Sequence, residues 1–406
     1  MSEARIAPRP RPLWVIVVAA GGVLFLMMGL RQGFGLFLRP LGDDVGITRE
    51  TFGFGLAMMN LVWGFAALPA GILADRHGSA PVATVGGVLY LAGLVMLAFA
   101  QGPATYIAGN VLVGAGMSAA GFTVVMAAVG KATAIEERTR ALALAGVGSS
   151  IGQFVMVPAT HGMIEAWGWS MAYGGLALTS LLFFVCVLGI RGIRAAPVAD
   201  CDRQSMREAL VEAAGVRSYW LLTAGFFVCG FQLAFIHAHF PAWIADQGLA
   251  PGLGAMALAI IGFFNIIGTL VSGRIAERTS KKLVLGWLYA IRGMMVLMLL
   301  FVPASPALVI AFSVGMGLTW LSTVPLTGNL VAIFFGPRYM ATLYGVVFLS
   351  HQMGGFVASW AGGRVFDLTG SYDLVWWAAA GLCVAAAALH WAIDERPVAR
   401  LAGARA

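Results

Sequence analysis

Apolar runs of about 20 residues or more recur along the chain from Trp14 onward, separated by short polar or Gly/Pro-marked turns. A helix crossing the roughly 30 Å hydrocarbon core of a bilayer needs about 20 apolar residues. The pattern predicts twelve such helices, over 14–38, 50–73, 80–100, 103–130, 139–163, 171–193, 218–245, 253–275, 282–302, 305–333, 340–365 and 371–394. The first run follows "ARIAPRPRPLW" and is too long for the apolar core of a cleaved signal, so it reads as a retained helix. One sizeable polar stretch divides the helices six and six. The expected organisation is an N-terminal six-helix bundle over 1–193, a linker over 194–217 and a C-terminal six-helix bundle over 218–406.

Composition agrees with a chain that lives in a bilayer. Of its 406 residues 60% are apolar and 11% charged, and the mean hydropathy is +0.87, whereas soluble domains carry about 25% charged residues. The four cysteines show no C-x-x-C spacing and mostly sit inside apolar runs, which points to neither a disulfide framework nor a cysteine metal site. No cofactor is expected.

A formal charge of +7 raises nucleic acid as a partner, but the placement of the charge argues against it. Twenty of the 25 Lys and Arg fall on the side that carries both termini and the linker, and only Arg39, Arg49 and Arg364 fall in turns on the other. Positive loops stay cytoplasmic. Both termini are therefore expected in the cytoplasm, and the basic balance reports topology rather than a nucleic-acid patch. The Ala-, Gly- and Arg-rich bias suggests a bacterial inner membrane.

Two basic residues remain, Arg31 in the first run and Arg292 in the ninth. None of the 18 acidic residues lies deep in a span, so neither cation has a carboxylate partner at its own depth. An arginine at a helix centre costs at least about 2.5–3.5 kcal/mol on insertion scales and normally faces the bundle interior or a wet cavity. An unpaired one invites an anionic ligand; the competing reading of Arg31 is a guanidinium that snorkels outward or bonds backbone carbonyls. His237 and His239 are two residues apart, so on a helix they point in different directions and form no metal site. Of the two, His237 is expected to line a cavity. The spans hold no H-E-x-x-H, no G-x-S-x-G and no Asp/His constellation, so an enzyme is not expected.

The two halves repeat at an offset of 202 residues. Asp44 and Gly46 fall on Asp246 and Gly248, Gly71 and Arg76 on Gly273 and Arg278, Phe154 and Val155 on Phe356 and Val357, and Gly168 on Gly370. Repeated bundles of this kind are a transporter architecture, with the substrate site near the midplane at their interface. "GILADRHG" at 71–78 resembles the signature loop of the major facilitator superfamily, and "GRIAERTS" at 273–280 stands at the equivalent place in the second half. The resemblance covers the whole chain. It implies an all-α integral membrane fold of twelve transmembrane helices in two pseudo-symmetric six-helix bundles, working by alternating access as a monomer. Gly71, Asp75 and Arg76, with Gly273, Glu277 and Arg278, are its candidate latch on the cytoplasmic side, although Ser79 and Ala80 replace the basic residues that usually follow.

A narrower resemblance, carried by "QGFGLFLRPL", "FFNIIGTLVSG", "GLTWLSTVP" and "YGVVFLSHQ", is to the monocarboxylate porter and oxalate/formate antiporter branch. There the eighth helix carries Asp or Asn and then Arg four residues later; here Asn265 keeps the first place and Thr269 stands at the second. The eleventh-helix lysine of the oxalate/formate antiporters falls on His351, and their first-helix glutamine on Arg31. The resemblance thus implies a cation moved from the eighth helix to the first, in a site for a small organic anion that takes in Arg31, Asn265, His351, Trp320, Thr269 and His237. Arg292, on a peripheral helix in this architecture, is expected to be structural, and Trp320 either packs or flanks the substrate. With no deep carboxylate, a proton carrier must be a histidine, and His351 is the candidate for proton-coupled symport. Exchange without protons and efflux of hydrophobic compounds are the alternatives.

Overall fold

The computed structural model describes residues 11–133, 135–193, 204–336 and 339–402. Most of the linker, including Cys201, lies outside them, as does the side chain of Asp75. The first half comprises α1 (Leu13–Gln32), a 3-10 turn (Phe34–Phe37), α2 (Leu38–Val45), α3 (Arg49–His77), α4 (Ser79–Ala98), α5 (Pro103–Ala120), α6 (Phe122–Ala132), α7 (Ile135–Ser180) and α8 (Leu182–Gly189). A short α9 (Met206–Ala214) follows in the linker, opened by a capping box between Ser205 and Glu208. The second half comprises α10 (Arg217–Asp246), α11 (Gly252–Arg278), α12 (Lys281–Phe301), α13 (Pro306–Thr319), α14 (Thr323–Phe335), α15 (Met340–Thr369), α16 (Asp373–Trp391) and α17 (Ala399–Ala402).

Ten stretches among the described residues are long and apolar enough to cross a membrane. The 50-residue stretch Arg140–Gly189 turns back at Gly168, whose φ of 77° ends one helix and starts the next, so it makes two passes. The 30-residue α15 makes one more, packed between α3 and α10. It carries Ser350, His351 and Gln352 near its middle and coincides with the run expected over 340–365. The protein is thus an all-α, multi-pass membrane protein of twelve passes. Helices suit this setting because each satisfies its own backbone groups away from water.

The halves repeat in three dimensions as they do in sequence. Gly46 and Gly248 close the first span of each half with φ of 71° and 74°, and Gly168 and Gly370 the fifth with 77° and 73°, left-handed values that favour glycine. The fourth span of each half is broken at matching places: α5 gives way to α6 at Gly121, and α13 to α14 across Trp320–Ser322. One buried core is built from the first half with Ala238 and Ala242 added, the other from the second half with Val157 added.

The bundles meet along α3 against α15 and α7 against α11. A Cβ at Gly53 would run into the Ser359 carbonyl, and one at Gly363 into the Arg49 carbonyl, so glycine sets the close approach of α3 and α15. These contacts reach from the face opposite the termini to about mid-depth. Nearer the termini than Gly64, Ser150, Asn265 and Phe348, no hydrogen bond, ion pair or ring contact between described residues joins the halves. Among the described residues, the contacts that join the bundles therefore lie on the opposite face and down to about mid-depth.

Candidate functional site

Arg31 sits in the last turn of α1, just before the helix tightens into the 3-10 turn. Its Nη2 donates to Asn60 Oδ1 on α3 at 2.9 Å, and its guanidinium carbon lies 5.3 Å from the centre of the Trp63 ring. Beside it is a small cavity between the halves whose polar lining comes from Arg31, Asn60, His237 on α10 and Ser359 on α15. Phe34, Leu56, Met59 and Ala234 supply apolar walls. The cavity has room for about one water. The closed face above and the packed α3 and α15 keep it this small.

The polar atoms around the cavity are the informative feature. Buried polar atoms are nearly always paired, yet Arg31 Nε, both ring nitrogens of His237 and Ser359 Oγ have no partner among the described residues. Trp320 stands edge-on to His237, ring centres 4.9 Å apart, and its Nε1 is unpartnered as well. Arginine and indole can only donate, and the hydroxyl and one imidazole nitrogen donate too. No carboxylate lines the cavity. The set is short of acceptors, and a carboxylate is an acceptor-only group that Arg can hold in bidentate fashion.

Other residues singled out in the sequence lie around this cavity rather than in it. Asn265 is buried on α11; its Nδ2 donates to Ser150 Oγ across the halves at 2.8 Å, and its Oδ1 accepts from Leu321 N at 2.9 Å and from Thr269 Oγ1 at 3.3 Å. Asn265 and Thr269 thus pair with each other and hold the broken fourth span of the second half. Arg292 serves the same break from the other side. Fully buried, it donates to the Thr319 and Trp320 carbonyls at the end of α13, the latter at 2.5 Å, and approaches Cys229 Sγ at 3.5 Å. Helix C-terminal carbonyls lack intrahelical donors, and a cation there also meets the negative end of the helix dipole. By fixing the Trp320 backbone, Arg292 fixes the indole against His237.

His351 is set apart from Arg31. It lies between Phe226 and Phe348, with ring centres at 4.9 and 5.9 Å, and its Nδ1 is 3.0 Å from Gln352 Oε1. Phe348 stands edge-on to Trp63, the ring under the Arg31 guanidinium, so two aromatic rings separate the histidine from the arginine. The structure brings Arg31 and His237 into the lining of the cavity, sets Trp320 behind His237, and leaves Asn265, Thr269 and His351 outside it.

No bond between described residues joins the two signature loops, and the Asp75 side chain lies outside the described ones. Arg76, Glu277 and Arg278 are exposed, Gly71 is half-buried, and a Cβ at Gly273 would have nothing within 4 Å. The ion pairs that do join the halves are on the opposite face, and sequence reasoning treated their members only as loop charges. Arg49 grips Asp246 through two nitrogens at 2.5 and 2.8 Å, reaches Tyr372 Oη at 3.1 Å and stacks over Phe366 at 3.6 Å. Glu50 accepts from Arg364 at 2.8 Å and Trp360 Nε1 at 3.2 Å, while its backbone N–H donates to Asp367 at 2.8 Å. A hint was present in the sequence: two of only three basic residues on that side, Arg49 and Arg364, stand on opposite halves.

Residues 20–359 match the family model described as Major Facilitator Superfamily. The chain is 24% identical to YcxA of Bacillus subtilis, described as an uncharacterized MFS-type transporter, over 90% of this chain and 91% of that protein. It is 25% identical to monocarboxylate transporter 11 of Mus musculus, over 89% of this chain and 82% of that one, and 25% identical to monocarboxylate transporter 3 of Rattus norvegicus, over 90% and 76%. Among solved structures, a bacterial homologue of the human lysosomal transporter Spinster superposes with a TM-score of 0.69 at 13% identity, covering 93% of this chain and 94% of that one. That structure is described as inward-facing and unoccupied.

Proposed function

The chain belongs to the major facilitator superfamily, a family of transporters and not of enzymes, and from that premise we propose that it carries a small organic monoanion of the monocarboxylate class. The observation that carries the reading is Arg31: a cation without a carboxylate partner, facing a cavity between the two halves whose unpartnered groups are mostly donors. The monocarboxylate transporters among its relatives support the class. Efflux of cationic drugs would call for a carboxylate in the cavity, and none lines it.

In this proposal the face carrying the termini is cytoplasmic, on the strength of its basic loops, and the membrane is the bacterial inner membrane. The closed opposite face then makes the structure an inward-facing form of a monomer. Arg31 binds the carboxylate, His237 and Ser359 add donors, and Trp320 walls the apolar end. The bundles on either side of the 194–217 linker rock about this point. When they rock the other way, the Gly71–Arg76 and Gly273–Arg278 loops meet and latch the cytoplasmic side. Uptake is coupled to protons through a histidine, since no carboxylate lies deep in a span.

Thermal-shift screening of the purified protein against mono- and dicarboxylates, aromatic acids and amphipathic cations tests the substrate class. Monocarboxylates should stabilise the protein, and Arg31→Ala should abolish the effect. Stabilisation by cations alone, or by anions equally in Arg31→Ala, would sink the reading.

A further inference from the structure

His239 is fully buried two turns before the end of α10 and takes no part in the Arg31 cavity. Its Nε2 is 2.8 Å from the Ser359 carbonyl, and its Nδ1 is 3.2 Å from Tyr372 Oη. The directions of these bonds follow from the partners. A carbonyl can only accept, so Nε2 carries the hydrogen. A guanidinium can only donate, so Tyr372 Oη accepts from Arg49 at 3.1 Å and its own O–H is left to donate to His239 Nδ1. The result is one directed chain, from Arg49 to Tyr372 to His239 to Ser359. It begins at the ion pair that closes the opposite face and ends at a residue that lines the cavity.

The chain runs in this direction only while the imidazole is neutral. A proton on Nδ1 would turn that nitrogen into a donor. Tyr372 Oη would then receive two donors, and its hydroxyl hydrogen would have to leave the His239–Arg49 line. It would also place a second cation on the far side of Tyr372 from Arg49, working against the Arg49–Asp246 pair. The charged groups at the gate end of the elements packed around His239 are Arg49 and Glu50 on α3, Arg364 and Asp367 on α15, the exposed Asp373 on α16, and Asp246 on α10 itself. Of these acids, Asp246 is held by Arg49, Glu50 by Arg364, and Asp367 by the Glu50 backbone. Asp43 and Asp44 on α2 make no described bond to His239, Asp44 being held by Trp169.

We propose that His239 is a pH-sensitive latch of the opposite face: neutral, it holds that face closed through Tyr372 and Arg49; protonated on Nδ1, it releases that face. The proton is taken from the outer solution while the face is open. The imidazolium must return it to the same solution before Tyr372 can donate to Nδ1 again, so low pH on that side favours the open form. This stands apart from the proton-coupled reading above, and it requires no particular anion.

The test reads the gate itself. Spin labels on Gln101→Cys and Ala250→Cys, exposed on the opposite face of the two halves, are introduced after replacement of the four native cysteines. Distances are measured in the full chain, without added anion, between about pH 8 and about pH 4, a range that extends below the ordinary titration of histidine. The distance should lengthen as pH falls, and this response should be lost in His239→Gln, whose amide can donate to Ser359 and accept from Tyr372 as the neutral ring does. Tyr372→Phe, which cuts the chain while keeping the ring, should lose it too and decides the matter if His239→Gln does not fold. A pH response that survives in either variant, or that is absent from the unmodified gate, overturns the proposal. Neither result bears on anion binding by Arg31, so the two readings fail separately.

Discussion

The Arg49–Asp246 pair supplies the most quantitative prediction, because the two side chains are partly exposed, 18% and 21%, and grip each other through two short bonds. Exposed ion pairs contribute about 0.2–1 kcal/mol, and bidentate geometry places this one at the upper end. Asp246→Asn should therefore cost the closed face about 1 kcal/mol, close to a fivefold shift in the closed-to-open ratio at about 1.4 kcal/mol per factor of ten. Arg49→Gln also removes the stacking on Phe366, worth about 0.5–1 kcal/mol, and the bond to Tyr372, so its shift should be roughly 10- to 30-fold. Label distances across the opposite face measure both variants, and the double variant closes the cycle. Its effect should equal that of Arg49→Gln alone, because the partner is already gone, and high salt should weaken the wild-type closure. Additive single effects, or unchanged distances in both variants, would show that the pair does not hold the face.

Arg292→Leu should lower the thermal stability of the purified protein, because two buried carbonyls at the end of α13 lose their donor at about 1–3 kcal/mol each; a melting temperature that does not fall would contradict the capping role. Arg31→Met should do the opposite, raising the melting temperature while abolishing anion binding, since it removes a cation that has only a neutral partner. Gly53→Val drives a side chain into the Ser359 carbonyl, so it should hold α3 and α15 apart and reduce uptake at least about tenfold, by the cost of overpacking. Uptake at the wild-type rate would mean that this approach is not needed for closure. His351→Ala should leave anion binding by equilibrium titration unchanged, two aromatic rings being interposed; a tenfold loss would put His351 in the site.

The passes were legible in the sequence because an apolar run of about 20 residues has few other uses, and the repeat was legible because Gly46, Gly168, Gly248 and Gly370 are required by left-handed turns. Arg31 and Arg292 stood out as the two charges inside spans. What they touch did not: Arg31 meets Asn60, 29 residues away, and Arg292 meets the end of a helix that hydropathy reads as continuous. The breaks after Ala120 and Thr319 are invisible to a hydropathy pattern because the residues on both sides are equally apolar. The closing ion pairs were hidden for a different reason. Arg49 and Asp246 are 197 residues apart and Glu50 and Arg364 are 314 apart, and each member alone is an ordinary loop charge. His237 and His239 illustrate both limits, since helical spacing sends them in different directions, but only packing decides that His237 faces the cavity and His239 the gate.

The central claim is that Arg31 binds a carboxylate, and the most direct measurement is equilibrium titration of the best-stabilising acid and of its uncharged amide. Charge-assisted hydrogen bonds contribute about 1.5–3 kcal/mol, so the acid should bind wild type roughly 10- to 150-fold more tightly than the amide. In Arg31→Gln the two ligands should bind alike. An acid preference that persists in Arg31→Gln would contradict the account.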